Sequence, residues 1–497
     1  MATQQAKYEL LKEQDNFRNN HKCLRICVLV SLCAASSIAV YATWNVIYRQ
    51  SLNIPPNLLD VPRSWIYRLQ FYNEHFDSHN ISLHKSLLYK SISHNNQNNT
   101  KNIKQIENER IYPSKLGNFI YKPKKHSTDM KLVCYYHMPT YVNKLSVLYP
   151  SRIDPHLCTH INVGPAEVND SRIVINDDLR KLLENINELK IKNENLKILL
   201  WVGGADDINF PQMVSTHAHR KLFIQSLKSV LETYRLDGLD LDWEFPSAYS
   251  KERQHFSQLL HEIRREYQRE HRTYLLSVAV SAVEGIAYFA YDIREINSYA
   301  DYINIMAYDY HFYSRSQPFV GLNAPLYPRR NEHSLLSTLN INYTAHYWYS
   351  QGMAKNKIVI GLPTYGHSYR LVNPFSNHIG SPAEGFGSVG ELGFVSYSEL
   401  CWFRQNNMYV NRVFDVETCS PYLYSGLEWI SYEDEKSLEC KAQYIKKYGF
   451  GGAMIFSLNT DDFASYCEPK IPRKKSVSNE TFPLVRKIYS VLFDGMK

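Results

Sequence analysis

Asp237-Gly238-Leu239-Asp240-Leu241-Asp242-Trp243-Glu244-Phe245-Pro246 alternates acidic and apolar side chains through its middle. An extended strand sends successive side chains to opposite faces, so Asp240, Asp242 and Glu244 share one face and Leu239, Leu241 and Trp243 the other. The apolar face suits packing against helices. Three carboxylates in file on the inner face repel one another if all are ionised, so the file is expected to hold a proton and to raise the pKa of at least one member. Glu244 comes last, at the C-terminal end of the strand. A carboxylic acid kept protonated there serves as a general acid. The competing reading of the same file is a divalent cation site.

Outward from this strand, short β-branched runs recur, each followed by a longer stretch of helical spacing. Strands are expected at 131–136, 159–163, 197–203, 238–244, 275–281, 302–308, 357–362 and 452–457. Between the third and fourth, Leu222, Phe223, Leu227, Val230, Leu231 and Tyr234 recur at helical intervals. Eight strand–helix units imply an α/β fold, a parallel (β/α)8 TIM barrel over residues 131–470 with its site at the C-terminal strand ends. The gap between strands seven and eight exceeds what a crossover needs and is expected to hold a small α+β insertion at about 366–431. Residues 471–497 read as a linker and a final helix.

The chain has 497 residues, 44% of them hydrophobic. Its net charge of +7 is dispersed, with no block of like charge to track a phosphate backbone, which sets nucleic acid aside as a partner. Ile26 to Tyr48 contains no charged residue and is long enough to cross a bilayer as a helix. Lys7, Lys12, Arg18, Lys22 and Arg25 precede it, and only Arg49 and Arg63 follow closely. This bias predicts a cytosolic tail (1–25), a transmembrane signal anchor (26–48) and a low-complexity luminal stem (49–130), a single-pass type II arrangement. Secretion after signal cleavage near Ala39 or Ala42 is the alternative. Six cysteines lie beyond that run, an even number that permits three disulfides in an oxidising compartment while leaving their pairing open. Glycosylation sequons stand at Asn80, Asn98, Asn169, Asn342 and Asn479.

The acidic strand resembles that of the animal chitinases and chitinase-like proteins of glycoside hydrolase family 18. Further matches are Cys134-Tyr135-Tyr136, Leu157-Cys158-Thr159-His160, Val202-Gly203-Gly204, Met306-Ala307-Tyr308-Asp309, Pro363-Thr364-Tyr365-Gly366-His367 and Asp461-Asp462-Phe463. The resemblance implies hydrolysis of β-1,4-linked N-acetylglucosamine in chitin or a related glycan, by substrate-assisted retaining catalysis. Glu244 would protonate the glycosidic oxygen, Asp242 would orient the attacking acetamide, Asp240 would share a proton with Asp242, and Tyr308 would bind the acetamide carbonyl. Tyr135, Met306, Asp309, Tyr365 and Phe456 would contact the sugar. The resemblance also implies disulfides Cys134–Cys158 and Cys401–Cys467; Cys419 and Cys440 remain by parity. No metal or organic cofactor is required.

The groove departs from the family pattern. Ala205, Pro139 and the run Phe312-Tyr313-Ser314 stand where tryptophans are usual, and Phe456 replaces the tryptophan expected under the reacting sugar. Phe245 replaces a tyrosine. Trp201 takes a position usually held by a small residue, where it either intrudes into the barrel or refills it. Each lost stacking ring weakens sugar binding by about 1 kcal/mol. Two functions therefore compete: a membrane-tethered glycosidase, favoured by the complete acids, and a non-catalytic glycan-binding, lectin-like protein, favoured by the missing rings.

Overall fold

In the computed structural model of the protein, the described residues are 130–138, 147–205, 207–247, 250–467 and 481–493. The tail, the apolar run 26–48, the stem to residue 129, Pro139 and the sequons at Asn80, Asn98 and Asn479 lie outside them. Among the described residues no helix is long and apolar enough to cross a membrane.

The first strands in chain order are β1 (Lys131–His137), β2 (His160–Asn169), β3 (Arg172–Val174), β4 (Lys197–Gly203), β5 (Gly238–Asp242), β6 (Leu275–Ser281), β7 (Tyr302–Met306) and β8 (Ile358–Pro363). An insertion follows with β9 (Tyr365–Leu371), β10 (Ala383–Phe386), β11 (Phe394–Ser396), β12 (Asn411–Asp415), β13 (Ser420–Ser425) and β14 (Glu428–Ser431), and β15 (Gly452–Phe456) returns to the first sheet. Eight strands run parallel in the order β1-β2-β4-β5-β6-β7-β8-β15, and β15 pairs β1, so the sheet closes on itself. Closure and the intervening helices make this a (β/α)8 barrel. Short β3 hangs antiparallel on β2. The insertion is a separate antiparallel sheet between β8 and β15, with a core of Tyr369, Leu371, Ala383, Tyr422 and Trp429 that Val320 and Leu322 join from the loop after β7.

The helices are α1 (Asp177–Ile186), α2 (Glu188–Lys192), α3 (Phe210–Ser215), α4 (His217–Thr233), α5 (Glu252–Arg269), α6 (Glu284–Ala290), α7 (Ile293–Tyr299), α8 (Ile341–Ser350), α9 (Tyr397–Asn406), α10 (Glu435–Tyr448) and α11 (Pro483–Phe493). Their ends carry chemistry that leaves few orphan backbone groups. The Thr216 side chain caps α4 through the His219 amide, and its Phe223, Leu227, Val230 and Leu231 are buried along one stripe. A capping box of Ser396 and Glu399 starts α9. Asp434 starts α10, and Gly449 in the left-handed region (φ 68°) ends it.

Two barrel strands stop two residues short of expectation, and β15 stops one short. β5 ends at Asp242 because its neighbour β4 turns away at Gly203, leaving no edge to pair with Trp243 or Glu244. Gly203 has a φ of 107°, and a Cβ there would lie 2.2 Å from the Asp242 carbonyl oxygen. Only glycine permits so close a crossing. β7 ends at Met306, which leaves Tyr308 and Asp309 in the following loop.

Three disulfides form: Cys134–Cys158, Cys401–Cys467 and Cys419–Cys440. The first ties β1 to the entry of β2. The second holds α9 of the insertion to the chain after β15. Helix α11 is fixed by a carboxylate, since Asp461 accepts from the amides of Val485 (3.1 Å) and Leu484 (3.5 Å) in its first turn. This supplies a cap from a distant part of the sequence. Burial pushes the Asp461 carboxyl up to about 7, from an ordinary 3.8.

That shift has a defined sign. A carboxyl with a higher pKa folded than unfolded stabilises the fold below the unfolded value, and the contribution disappears as pH rises through the folded value. Stability measured by urea unfolding is thus expected to decline from about pH 4 to about pH 7 through this group, and Asp461→Asn to flatten the decline. An identical slope in the variant would overturn the assignment.

Candidate active site

At the centre of the barrel the acids of β5 meet donors from four other strands. Asp240 is fully buried. Its carboxylate accepts from the Tyr135 hydroxyl of β1 (2.5 Å), the Ser277 hydroxyl of β6 (2.6 Å) and the Asn304 amide of β7 (3.0 Å). Desolvation raises the Asp240 pKa, and the three donors oppose that rise. The pKa elevation expected somewhere in the file is thus found at its buried lower member.

Asp242, one step up the strand, is 3% exposed. Its Oδ2 accepts from the indole Nε1 of Trp201 on β4 at 2.9 Å. Glu244 is half-buried just beyond the strand. Tyr291, just after α6, lies within electrostatic reach of both Asp242 and Glu244.

Aromatic rings enclose these acids. Phe456, the last residue of β15, packs 5.5 Å from Tyr135, 5.7 Å from Tyr308 and 6.3 Å from Tyr365 between ring centroids. Tyr308 fits because Gly361 of β8 has no side chain; a Cβ there would stand 2.9 Å from the Tyr308 ring. Met306 at the end of β7 is 8% exposed. Asp309 takes a left-handed conformation (φ 56°), anchored by its amide on the Asn323 side chain at 2.8 Å. Its Oδ1 accepts from the Tyr365 hydroxyl (2.6 Å) and lies 2.8 Å from Nε2 of His367, both on β9. The first strand of the insertion thereby completes one wall of the site.

The expected site residues Asp240, Asp242, Glu244, Tyr135, Tyr308, Asp309, Tyr365 and Phe456 therefore gather at one end of the barrel. Tyr135 needs a correction: expected to face the sugar, it is 1% exposed with its hydroxyl committed to Asp240. Ser277, Asn304, Asn323 and the donor role of Trp201 escaped the sequence reading. A polar residue on an otherwise apolar barrel strand, as in Leu275-Leu276-Ser277-Val278, is the signal that would have found the first two. Of the two sequons among the described residues, Asn169 is exposed at the β2–β3 hairpin. Asn342 lies in α8 with its Oδ1 on the Tyr444 hydroxyl (3.0 Å), and its sequon partner Thr344 is buried.

Residues 131–461 match the model of glycosyl hydrolases family 18. The chain belongs to that family. It is 35% identical over 356 residues to chitotriosidase-1 of Mus musculus, an alignment spanning 68% of this chain and 75% of that one. Among solved structures, a Group IV chitinase of Ostrinia furnacalis in complex with allosamidin superposes with a TM-score of 0.67 at 32% identity, covering 74% of this chain and all of that one. Human YKL-39, described as a pseudo-chitinase with retained chitooligosaccharide binding properties, superposes equally well (TM-score 0.67, 30% identity, 73% of this chain and all of that one). The protein is thus a family 18 glycosidase of chitinase or chitinase-like type.

Tyr135→Phe keeps the ring and removes one donor from a buried carboxylate. The expected loss is about 1.5–3 kcal/mol of unfolding free energy at neutral pH, read by urea titration. A loss below about 0.5 kcal/mol would contradict the role given to that hydroxyl.

Proposed function

We propose that the protein hydrolyses β-1,4-linked N-acetylglucosamine chains by substrate-assisted, retaining catalysis. The observation that carries this reading is the complete file Asp240, Asp242, Glu244 in a water-poor, ring-lined site beside Tyr308. Glu244, the most accessible of the three acids, donates its proton to the glycosidic oxygen as the bond breaks. The acetamide carbonyl of the same sugar attacks the anomeric carbon, and the positive charge spreads over the resulting oxazolinium ring. The Asp242 carboxylate orients the acetamide N–H and offsets that charge, which matters most where water is excluded. Asp240 supports Asp242 from below, and the Tyr308 hydroxyl holds the acetamide oxygen. Water activated by Glu244 then opens the ring with net retention. Phe456 presents apolar surface to the sugar, Met306 and Asp309 line its edge, and buried Tyr365 acts by holding Asp309 through its hydroxyl.

The smaller ring at Phe456 and the inert relative with intact sugar binding favour a second reading, a lectin-like protein on the same barrel. Turnover of fluorogenic chitobiose and chitotriose substrates by the full-length protein separates the two. Hydrolysis that falls by about a thousandfold or more in Glu244→Gln is expected for the enzyme, from loss of the general acid and its electrostatic help. Binding of chitooligosaccharide without turnover in the wild type would replace the enzyme reading with the lectin.

The apolar run 26–48 and the preceding basic residues support a type II anchor with the barrel in the secretory lumen or outside the cell. Three disulfides fit that compartment. Exposure makes Asn169 the favoured glycan site among the described residues, and the packing of Asn342 and Thr344 disfavours the other. The chain is expected to stay in the membrane pellet after alkaline carbonate extraction. Asn169→Gln is expected to remove one glycan increment on gels, and Asn342→Gln none. Recovery of a shortened chain from the medium would instead favour signal cleavage.

A further inference from the structure

We propose that Trp201 is a positioning residue for Asp242, its indole N–H setting the direction of the carboxylate that faces the substrate. The proposal rests on the catalytic reading of Asp242 given above. Trp201 sits on β4 at the level of Asp240, and its ring reaches the next level of the file, where Nε1 donates to Asp242 Oδ2 at 2.9 Å. The ring itself has little freedom. Tyr135 meets it edge-on at 5.0 Å, His137 at 4.8 Å and Phe456 at 6.1 Å, and it is 3% exposed. An indole nitrogen can only donate, so the oxygen it meets is held as an acceptor. A donor locked by three rings in a water-poor site favours the ionised carboxylate and one orientation of it.

The large ring on β4 meets a smaller one at the end of β15 edge-on, with centroids 6.1 Å apart. Trp201 is too buried to offer a sugar a face, so it acts through Asp242, while half-buried Phe456 keeps the surface role. Titratable groups near Asp242 include Asp240 on its own strand, Glu244 just beyond it, Tyr135 from β1 and Tyr291 after α6. Edge-on against the indole, His137 is pushed down to about 4 by burial, so it is neutral near pH 7.

Trp201→Phe keeps a ring in the cluster and removes the donor together with part of the indole's volume. With the full-length enzyme and fluorogenic chitotriose, kcat is expected to fall about tenfold to a hundredfold, the range of one hydrogen bond to a charged group. KM is expected to change less than about twofold, since an interaction that acts in the transition state leaves ground-state binding alone. The acid limb of the pH–rate profile is expected to move up by about one pH unit, because the carboxylate loses a group that favoured its ionised form. A wild-type kcat and an unmoved acid limb would overturn the proposal. A readout independent of turnover is the indole N–H resonance of Trp201 in 15N-tryptophan-labelled full-length protein. It is assigned by its loss in Trp201→Phe. It is expected to shift with pH in the wild type and to stay still in Asp242→Asn. A resonance that ignores both pH and Asp242→Asn would overturn the proposal even if the wild type turns out to bind sugar without cleaving it. If Trp201→Phe fails to fold, the indole resonance that titrates in the wild type and stops titrating in Asp242→Asn still decides the question.

Discussion

Two carboxylates stacked in the dry centre of a barrel are expensive to keep, and the interior of this protein is arranged around that cost. An isolated ionised carboxylate taken out of water loses several kcal/mol that only charge-assisted hydrogen bonds restore. Asp240 recovers it from three donors on three strands, β1, β6 and β7. Asp242 draws on a fourth, β4. β4 and β6 pair β5 directly, but β7 and β1 bring their donors to Asp240 only because the sheet curls round and closes, so the acids and the closed barrel depend on each other. Glu244, past the end of β5 and half-buried, is left with access to a substrate.

The same centre explains how the groove tolerates its altered rings. Trp201 and Phe456 meet across the barrel with ring centroids 6.1 Å apart, and Tyr135, His137 and Tyr308 pack around them. Interiors packed to crystal density leave little room around such an indole. The ring fills that space and brings a hydrogen-bond donor to Asp242.

Short apolar, β-branched runs marked the barrel strands in the sequence, because each buries one face against helices and the other in the core. The acid file was legible because its carboxylates alternate with apolar residues. What was not legible depends on closure or on loop geometry. Ser277 and Asn304 show in the sequence only as polar residues on otherwise apolar strands, and their common partner Asp240 emerges from the pairing of β5 with β6 and the curl that brings β7 round. Asp309 depends on a left-handed backbone fixed by Asn323, two segments that share no pattern. Tyr135 is a sugar contact only by the family resemblance; its depth in the barrel, which the motif does not encode, gives its hydroxyl to Asp240 instead. Trp201 stood out as an oversized residue, but its hydrogen bond required the ring's direction.

The central claim is that the acid file directs an attack by the substrate's own acetamide. The most direct measurement follows the anomeric protons of the first products by proton NMR during early hydrolysis of chitotetraose by the full-length protein. The β anomer appearing first, with the α anomer growing only by mutarotation, is the predicted result. Release of the α anomer first would contradict it, and so would the absence of any hydrolysis.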